Sequence, residues 1–233
     1  MPEEVSATLM LMIRTQASAA GADWFAQTLK SFDGSFSEPK VLAAYTAMAR
    51  NLGKELADTG RIALLLQVAR SAEDTFYDLA LACYENGDSS EQASWLRSLS
   101  LLPGCERFLA TAIDACRTNI VPQFEAIACE NPYPSRYFPE LNFNQLVMKA
   151  VFNNIRLSRI VGIESRFNEE LSRMTNDFVS EREAAGRPVP VDIWLVLAPR
   201  IDASQLPRIK RYLEHENPDH RHWAEIGLSQ RRD

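Results

Sequence analysis

Apolar side chains return at intervals of three and four through most of the chain, with polar residues between them. Phe167, Leu171, Met174 and Phe178 fall on one helical face, as do Phe143, Leu146, Val147, Ala150 and Val151. Leu109, Ala112, Ile113 and Cys116 form a third stripe, and Leu206, Ile209 and Leu213 a fourth. Trp223, Ala224, Ile226 and Leu228 form a fifth. The spacing predicts helices near 3–19, 22–32, 38–57, 61–70, 72–86, 89–101, 105–118, 122–129, 141–154, 167–185, 190–198, 203–215 and 219–230, some of them halves of one element. No strand is predicted. The apolar run Ile193 to Leu197 suits a strand by composition, but Asp192 ahead of it reads as a helix start.

Local signals mark several ends. Ser89-Ser90-Glu91 opens a helix with acidic charge near the positive end of its dipole. Ser71 with Asp74 resembles a loose capping box. Asn168 stands at a helix start, and Gly186 followed by Pro188 ends that helix. Short connectors imply antiparallel neighbours. Residues 206–228 read as a helical hairpin turned by Asn217-Pro218-Asp219, with Arg221 just beyond, which is similar to a HEAT-repeat turn. The expected fold is therefore all-α, as stacked antiparallel hairpins (a HEAT-like α-solenoid) with a compact helical bundle as the alternative. One domain over 1–233 is expected.

One stretch breaks the pattern. Pro132, Pro134 and Pro139 fix φ and restrict the residue before each, so an extended or turning path is expected there. Aromatic residues Tyr133, Tyr137, Phe138 and Phe143 surround them. Arg117, Asn119, Glu125, Glu130, Asn131, Asn142 and Asn144 bring directional polar groups. Such a segment lines a pocket or packs as a connector between helices. On the following helix Asn142, Gln145, Lys149 and Asn153 share one side. If that side faces the segment, Lys149 pairs with Glu125 or Glu130. If it faces water, the stripe is a solvated face.

Composition narrows the classes. The chain has 233 residues and a formal charge of −6, with 46% hydrophobic and 24% charged residues. That content suits a folded chain rather than a disordered one, and the acidic balance disfavours general nucleic-acid binding. The longest apolar runs, Leu9 to Ile13 and Ile62 to Leu66, are far short of the roughly 20 residues of a membrane span. Glu3 and Glu4 stand where a secretory leader carries positive charge, so no leader is expected. Cys83, Cys105, Cys116 and Cys129 form no CxxC pair and read as reduced thiols of a cytoplasmic protein. The C-terminal stretch is the more basic end, suited to a solvated face or an acidic partner.

Catalytic signatures are scarce. The chain has no GxGxxG, phosphate loop, HExxH or GxSxG. His215, His220 and His222 lie near Glu214, Glu216 and Asp219, but their spacing suits no common metal site. No metal or cofactor is expected. Glu125 and Glu130 are five residues apart, off the helical neighbour spacing.

The runs ACRTN at 115–119, FEAIACENPYPSRYFPELNFNQLVMKAVF at 124–152 and EREAAGRPVP at 181–190 resemble the EboA-domain family. The resemblance covers 95–199 best. It implies a role in metabolite traffic, in gene clusters that also encode a prenyltransferase-like membrane protein and hydrolase- or isomerase-like enzymes. It carries over no catalytic residues. The expected function is thus a non-enzymatic adaptor or carrier for secondary-metabolite precursors. It would bind a small metabolite, or partner proteins of the same cluster, through Arg117, Asn119, Glu125, Glu130, Asn131, Tyr133, Tyr137, Asn144 and Lys149. The expected location is cytoplasmic, or peripheral to the inner membrane through a partner. Two other readings follow from the residues: an enzyme using Glu125 or Glu130 as acid/base on a polar or aromatic metabolite, and a structural assembly scaffold.

Overall fold

The computed structural model describes residues 2–32 and 35–231. Those residues contain fourteen α-helices, six 3-10 turns and no strand. The chain divides into two compact units, Met1–Ile127 and Ala128–Asp233.

In the first unit the helices are α1 (Pro2–Gln16), α2 (Ala19–Lys30), α3 (Glu38–Leu52), α4 (Lys54–Ser71), α5 (Phe76–Glu85), α6 (Ser89–Ser98), α7 (Leu109–Ala115) and α8 (Val121–Ala128), the last running to the boundary. The expected helix over 38–57 ends early. Gly53 takes a positive φ of 84° that ordinary side chains avoid, and α4 starts immediately after it. Helix α4 is buried through most of its length, from Leu56 to Val68, among α1, α3, α5 and α6. The cap of α6 is Asp88 rather than Ser89. Its carboxylate accepts from the Ser90 and Glu91 amides, and Glu91 Oε2 accepts from the Asp88 amide. Ser71 and Asp74 make no cap; α5 opens after Thr75 without a side-chain hydrogen bond.

Arg61 sits at the centre of this unit, only 2% exposed. Its Nε donates to the Tyr45 carbonyl at 3.2 Å and its Nη1 to Ser94 Oγ at 2.8 Å. Glu91 lies 3.7 Å from Nη2 and Asp58 3.9 Å from Nη1. Ser94 in turn donates to Asp58, which also holds Arg97 at 2.8 Å. Tyr45 donates its hydroxyl to the Glu91 carbonyl at 3.0 Å. One charged side chain from α4 thereby ties α3 to α6. All four cysteines are free thiols, and burial pushes the Cys83 thiol up to about 12, so it remains a protonated core side chain.

The second unit contains α9 (Tyr133–Tyr137), α10 (Glu140–Phe152), α11 (Glu169–Ala184), α12 (Trp194–Leu197), α13 (Leu206–Tyr212) and α14 (Pro218–Ser229). Helix α9 arises where an extended or turning path was expected. Pro134 lies in its first turn, where a missing amide proton costs no helical bond. The Ile193–Leu197 run is fully buried and helical. Asp192 does not cap it. Its buried carboxylate accepts from the Leu157 amide at 2.7 Å and the Ser158 amide at 3.4 Å. Trp194 donates Nε1 to His220 Nδ1 at 3.0 Å and packs on Tyr212 at 4.1 Å between ring centroids. Gly227 lets α14 approach this run closely: a Cβ there would lie 2.2 Å from the Trp194 carbonyl oxygen.

Three outcomes follow from this packing. Arg61→Ala leaves Glu91, Ser94 and Asp58 without their shared donor, and should cost about 3–5 kcal/mol in urea unfolding. Gly227→Ala must push backbone apart, since a carbonyl cannot rotate away as a side chain can. It should lower stability by about 1–3 kcal/mol in the same assay. Burial, with His215 nearby, lowers His220 to about 4, against a weak opposing pull from Asp219. The neutral ring's contribution is therefore full above the unfolded value near 6.5 and is lost as pH falls toward 4. Chemical unfolding should show a steeper decline between pH 6.5 and 5 for the native chain than for His220→Asn. Equal slopes would remove His220 as the cause.

Candidate functional site

Most polar groups of the proline-rich segment are engaged in local structure. In the first unit, Arg117 is exposed and pairs with Asp114 at 2.9 Å. Asn119 is exposed, and Glu125 is half-buried on α8. Thr118 donates to Gln123 at 2.7 Å and accepts from the Ile120 amide, setting the start of α8.

In the second unit, Glu130 adopts a left-handed backbone with φ of 51°. Its carboxylate receives both Nε and Nη2 of Arg159, at 2.8 and 2.9 Å. Asn131 is buried and accepts the Tyr133 amide at 3.0 Å, where α9 begins. Tyr133 is fully buried, with Tyr137 at 4.8 Å and Phe138 at 6.3 Å between ring centroids. Tyr137 lies at the surface, and Lys149 is half-buried in the last turn of α10. Arg166 donates to the carbonyls of Ser135 and Phe138, both at 2.7 Å, and lies over the Phe143 ring. The structure therefore gathers Glu130, Asn131, Tyr133 and Tyr137 into one packed turn.

Asn144 does something different. It is buried and exchanges two amide hydrogen bonds with Asn168, at 3.1 and 3.0 Å. Asn168 caps α11 by accepting the Leu171 amide at 2.8 Å. A residue singled out in the sequence thus orients α11, and α11 forms one wall of a cleft of about 820 Å³. Ser172, Arg173 and Asn176 line that wall; Arg200, Asp202 and Gln205 stand in the other. Ser172 Oγ donates to the Leu197 carbonyl at 2.8 Å, which fixes the spacing of the walls.

Two neighbouring clefts share these residues. One, of about 500 Å³, adds Glu164, Phe167 and Gln230. The other, of about 710 Å³, adds Glu140 and Glu170. Arg200 lines all three. It extends from a firm mount, because Ala198, Pro199 and Ile201 around it are buried.

The charges of the cleft are unequally committed. Arg173 gives one side of its fork to Glu170, at 2.7 and 2.9 Å, and Nη1 to Asp177 at 2.9 Å. Those hydrogen bonds hold the Glu170 carboxyl below its usual range. Arg231 donates to the Ile201 carbonyl at 3.0 Å. The Asp202 carboxyl is lowered chiefly by hydrogen bonds from the Ser204 hydroxyl and amide. Arg200 has no hydrogen bond or ion pair among the described residues. Such an arrangement leaves the Arg200 guanidinium donors open to a bound group.

Sequence reasoning missed Arg173, Arg200 and Asp202. The available signal was the more basic C-terminal stretch directly after the apolar run 193–197. No group of three His, Cys, Asp or Glu side chains among the described residues is placed to hold a metal ion. His215 and His220 are spent locally, accepting the Asn217 amide and the Trp194 indole proton respectively.

Comparison with known proteins gives one match. The family model described as metabolite traffic protein EboA covers residues 55–198, more than half of the chain. No curated protein and no solved structure matches it. The matched span takes in Arg61 with Asp58, Glu91 and Ser94 but not Tyr45, and it takes in the proline-rich segment and α11, stopping two residues before Arg200. The chain belongs to the EboA family of metabolite traffic proteins.

Proposed function

We propose that this protein is a non-enzymatic carrier or adaptor that holds a small secondary-metabolite precursor in the cleft between α11 and residues 199–205. The observation that carries the reading is the set of adjoining clefts that share Arg200. Their volumes fall in the range of about 300–1,000 Å³ usual for small-molecule sites. The absence of catalytic motifs in the sequence and the family's traffic role point the same way.

In this proposal the proline-rich segment is the mount of the site. Asn131 and Tyr133 stiffen α9, Arg166 clamps its carbonyls, and the Asn144–Asn168 pair sets the start of α11. The hairpin of α13 and α14 supports a HEAT-like reading of the fold. There Arg221 Nη1 donates to the His215 and Glu216 carbonyls at 2.6 and 2.9 Å, holding the turn around Asn217. Partner proteins of the same gene cluster would take the cargo over in the cytoplasm or at the inner membrane.

A ligand that binds only the folded state raises the melting temperature by mass action. Thermal unfolding is therefore to be followed with polar aromatic and prenylated metabolites. Ala203→Trp, which places an indole in the cleft, should abolish the stabilisation, and Tyr137→Ala should leave it intact. Stabilisation that survives Ala203→Trp and disappears in Tyr137→Ala would move the site to the proline-rich segment.

A further inference from the structure

We infer that the outer strip of α10 is a self-association surface, which pairs with the same strip of a second copy of this chain about a twofold axis. The inference stands apart from the carrier reading of the cleft.

Helix α10 is buried on most of its circumference, through Phe143, Asn144, Leu146, Val147, Ala150 and Val151. What remains open is narrow. Leu141 and Phe152, 62% and 67% exposed, are the two most open large apolar side chains among the described residues. They stand about 16 Å apart along the helix and within about 20° of each other around it. Gln145 is the exposed residue between them. Lys149 lies about 80° round from Leu141 and is half-buried, so no charge interrupts the line. Phe152 packs edge-on against Phe178 of α11 at 5.2 Å between ring centroids, which braces its end of the strip. A single exposed apolar side chain is ordinary; two aligned on one narrow strip, one of them braced by a second ring, mark a contact surface.

The strip is complementary to itself. Its order of apolar, neutral polar and apolar reads the same from either end. A twofold axis through its middle sets Leu141 against Phe152 of the second copy, and Phe152 against that copy's Leu141, with the two α10 helices antiparallel. Gln145 then lies close to its own counterpart, where an amide both donates and accepts. A charged residue at that position would repel itself. The ends match as well. Asn144 meets Asn168 and Phe152 meets Phe178, so α10 and α11 run side by side in the same direction. Glu140 and Glu169 lie at one end of this face, lining a shared cleft. Arg182 lies at the other end, its guanidinium carbon 5.6 Å from the centroid of the Phe178 ring. Neither Glu140 nor Arg182 has an ion pair among the described residues. Antiparallel pairing brings the acidic end of each copy to the Arg182 end of the other, whereas parallel pairing sets like charges together. The end charges thus select the orientation, and the apolar side chains supply the attraction.

The test follows the full chain by sedimentation velocity over a dilution series. The native chain should be dimeric at about 100 μM and dissociate on dilution. Phe152→Glu and Leu141→Glu should each weaken the dimer about thirtyfold or more, with circular dichroism unchanged because both side chains face water. Leu11→Glu, at an exposed apolar position of the first unit, should change nothing. Glu140→Arg and Arg182→Glu, each checked for native circular dichroism, should weaken the dimer about tenfold. An equimolar mixture of these two variants should restore it, because the mixed pair again sets opposite charges together at both ends. A native chain that stays monomeric up to about 0.5 mM overturns the inference and leaves the strip to a different partner. So does a dimer that Phe152→Glu leaves intact, or one that Leu11→Glu disrupts equally. Folded charge-reversal variants that fail to recover on mixing overturn the twofold arrangement and the inference with it.

Discussion

Arg61 brings a full positive charge into the interior of the first unit, and the helices around it are constrained by having to answer that charge. A guanidinium has five donors and no capacity to shed its proton. The Tyr45 carbonyl, Ser94, Glu91 and Asp58 supply acceptors or compensating charge from three helices. Each must lie at its observed depth and rotation for the set to close. An apolar residue at 61 would let α4 slide or turn against α3 and α6 at little cost. The buried charge makes such slippage expensive, because any shift leaves a polar group dry and unmatched. The Asp88–Glu91 capping box belongs to the same network, since Glu91 serves both the end of α6 and the buried arginine.

The second unit uses neutral rather than ionic restraints at comparable depth. Asp192 is the exception, held by backbone amides that would otherwise lack acceptors. Further restraints are the Trp194–His220 bond, the Ser172 hydrogen bond to the Leu197 carbonyl and the close approach of Gly227 to Trp194. These contacts hold the buried run 193–198 in place. The run then delivers the chain to Pro199 and Arg200 at the rim of the cleft.

The all-helical character and most element positions were legible in the sequence, because three-and-four spacing reports burial directly. The stripe Phe167, Leu171, Met174, Phe178 marks α11, and Asn168 caps it as expected. What escaped was information that spacing does not carry. A buried arginine in a helical pattern looks like any solvated charge until its partners, up to 33 residues away, are in place. Asp192 before an apolar run has the form of a cap, yet its acceptors serve a loop 35 residues earlier. The proline-rich segment was recognisable as unusual, and its Asn144 does reach the cleft through Asn168. Arg200 had no local mark, because an arginine just after an apolar run looks like any surface charge until the walls of the clefts it lines are assembled.

The amide pair at the start of α11 carries no net charge. Electrolyte therefore has little purchase on the contact that positions this wall, whereas it screens the exposed pairs of Arg173 with Glu170 and Asp177 on the same helix over a Debye length of about 8 Å at physiological ionic strength. The start of α11 and the charges along its face thus answer to different forces. A rise in salt can loosen the surface charges of this helix while leaving its position unchanged.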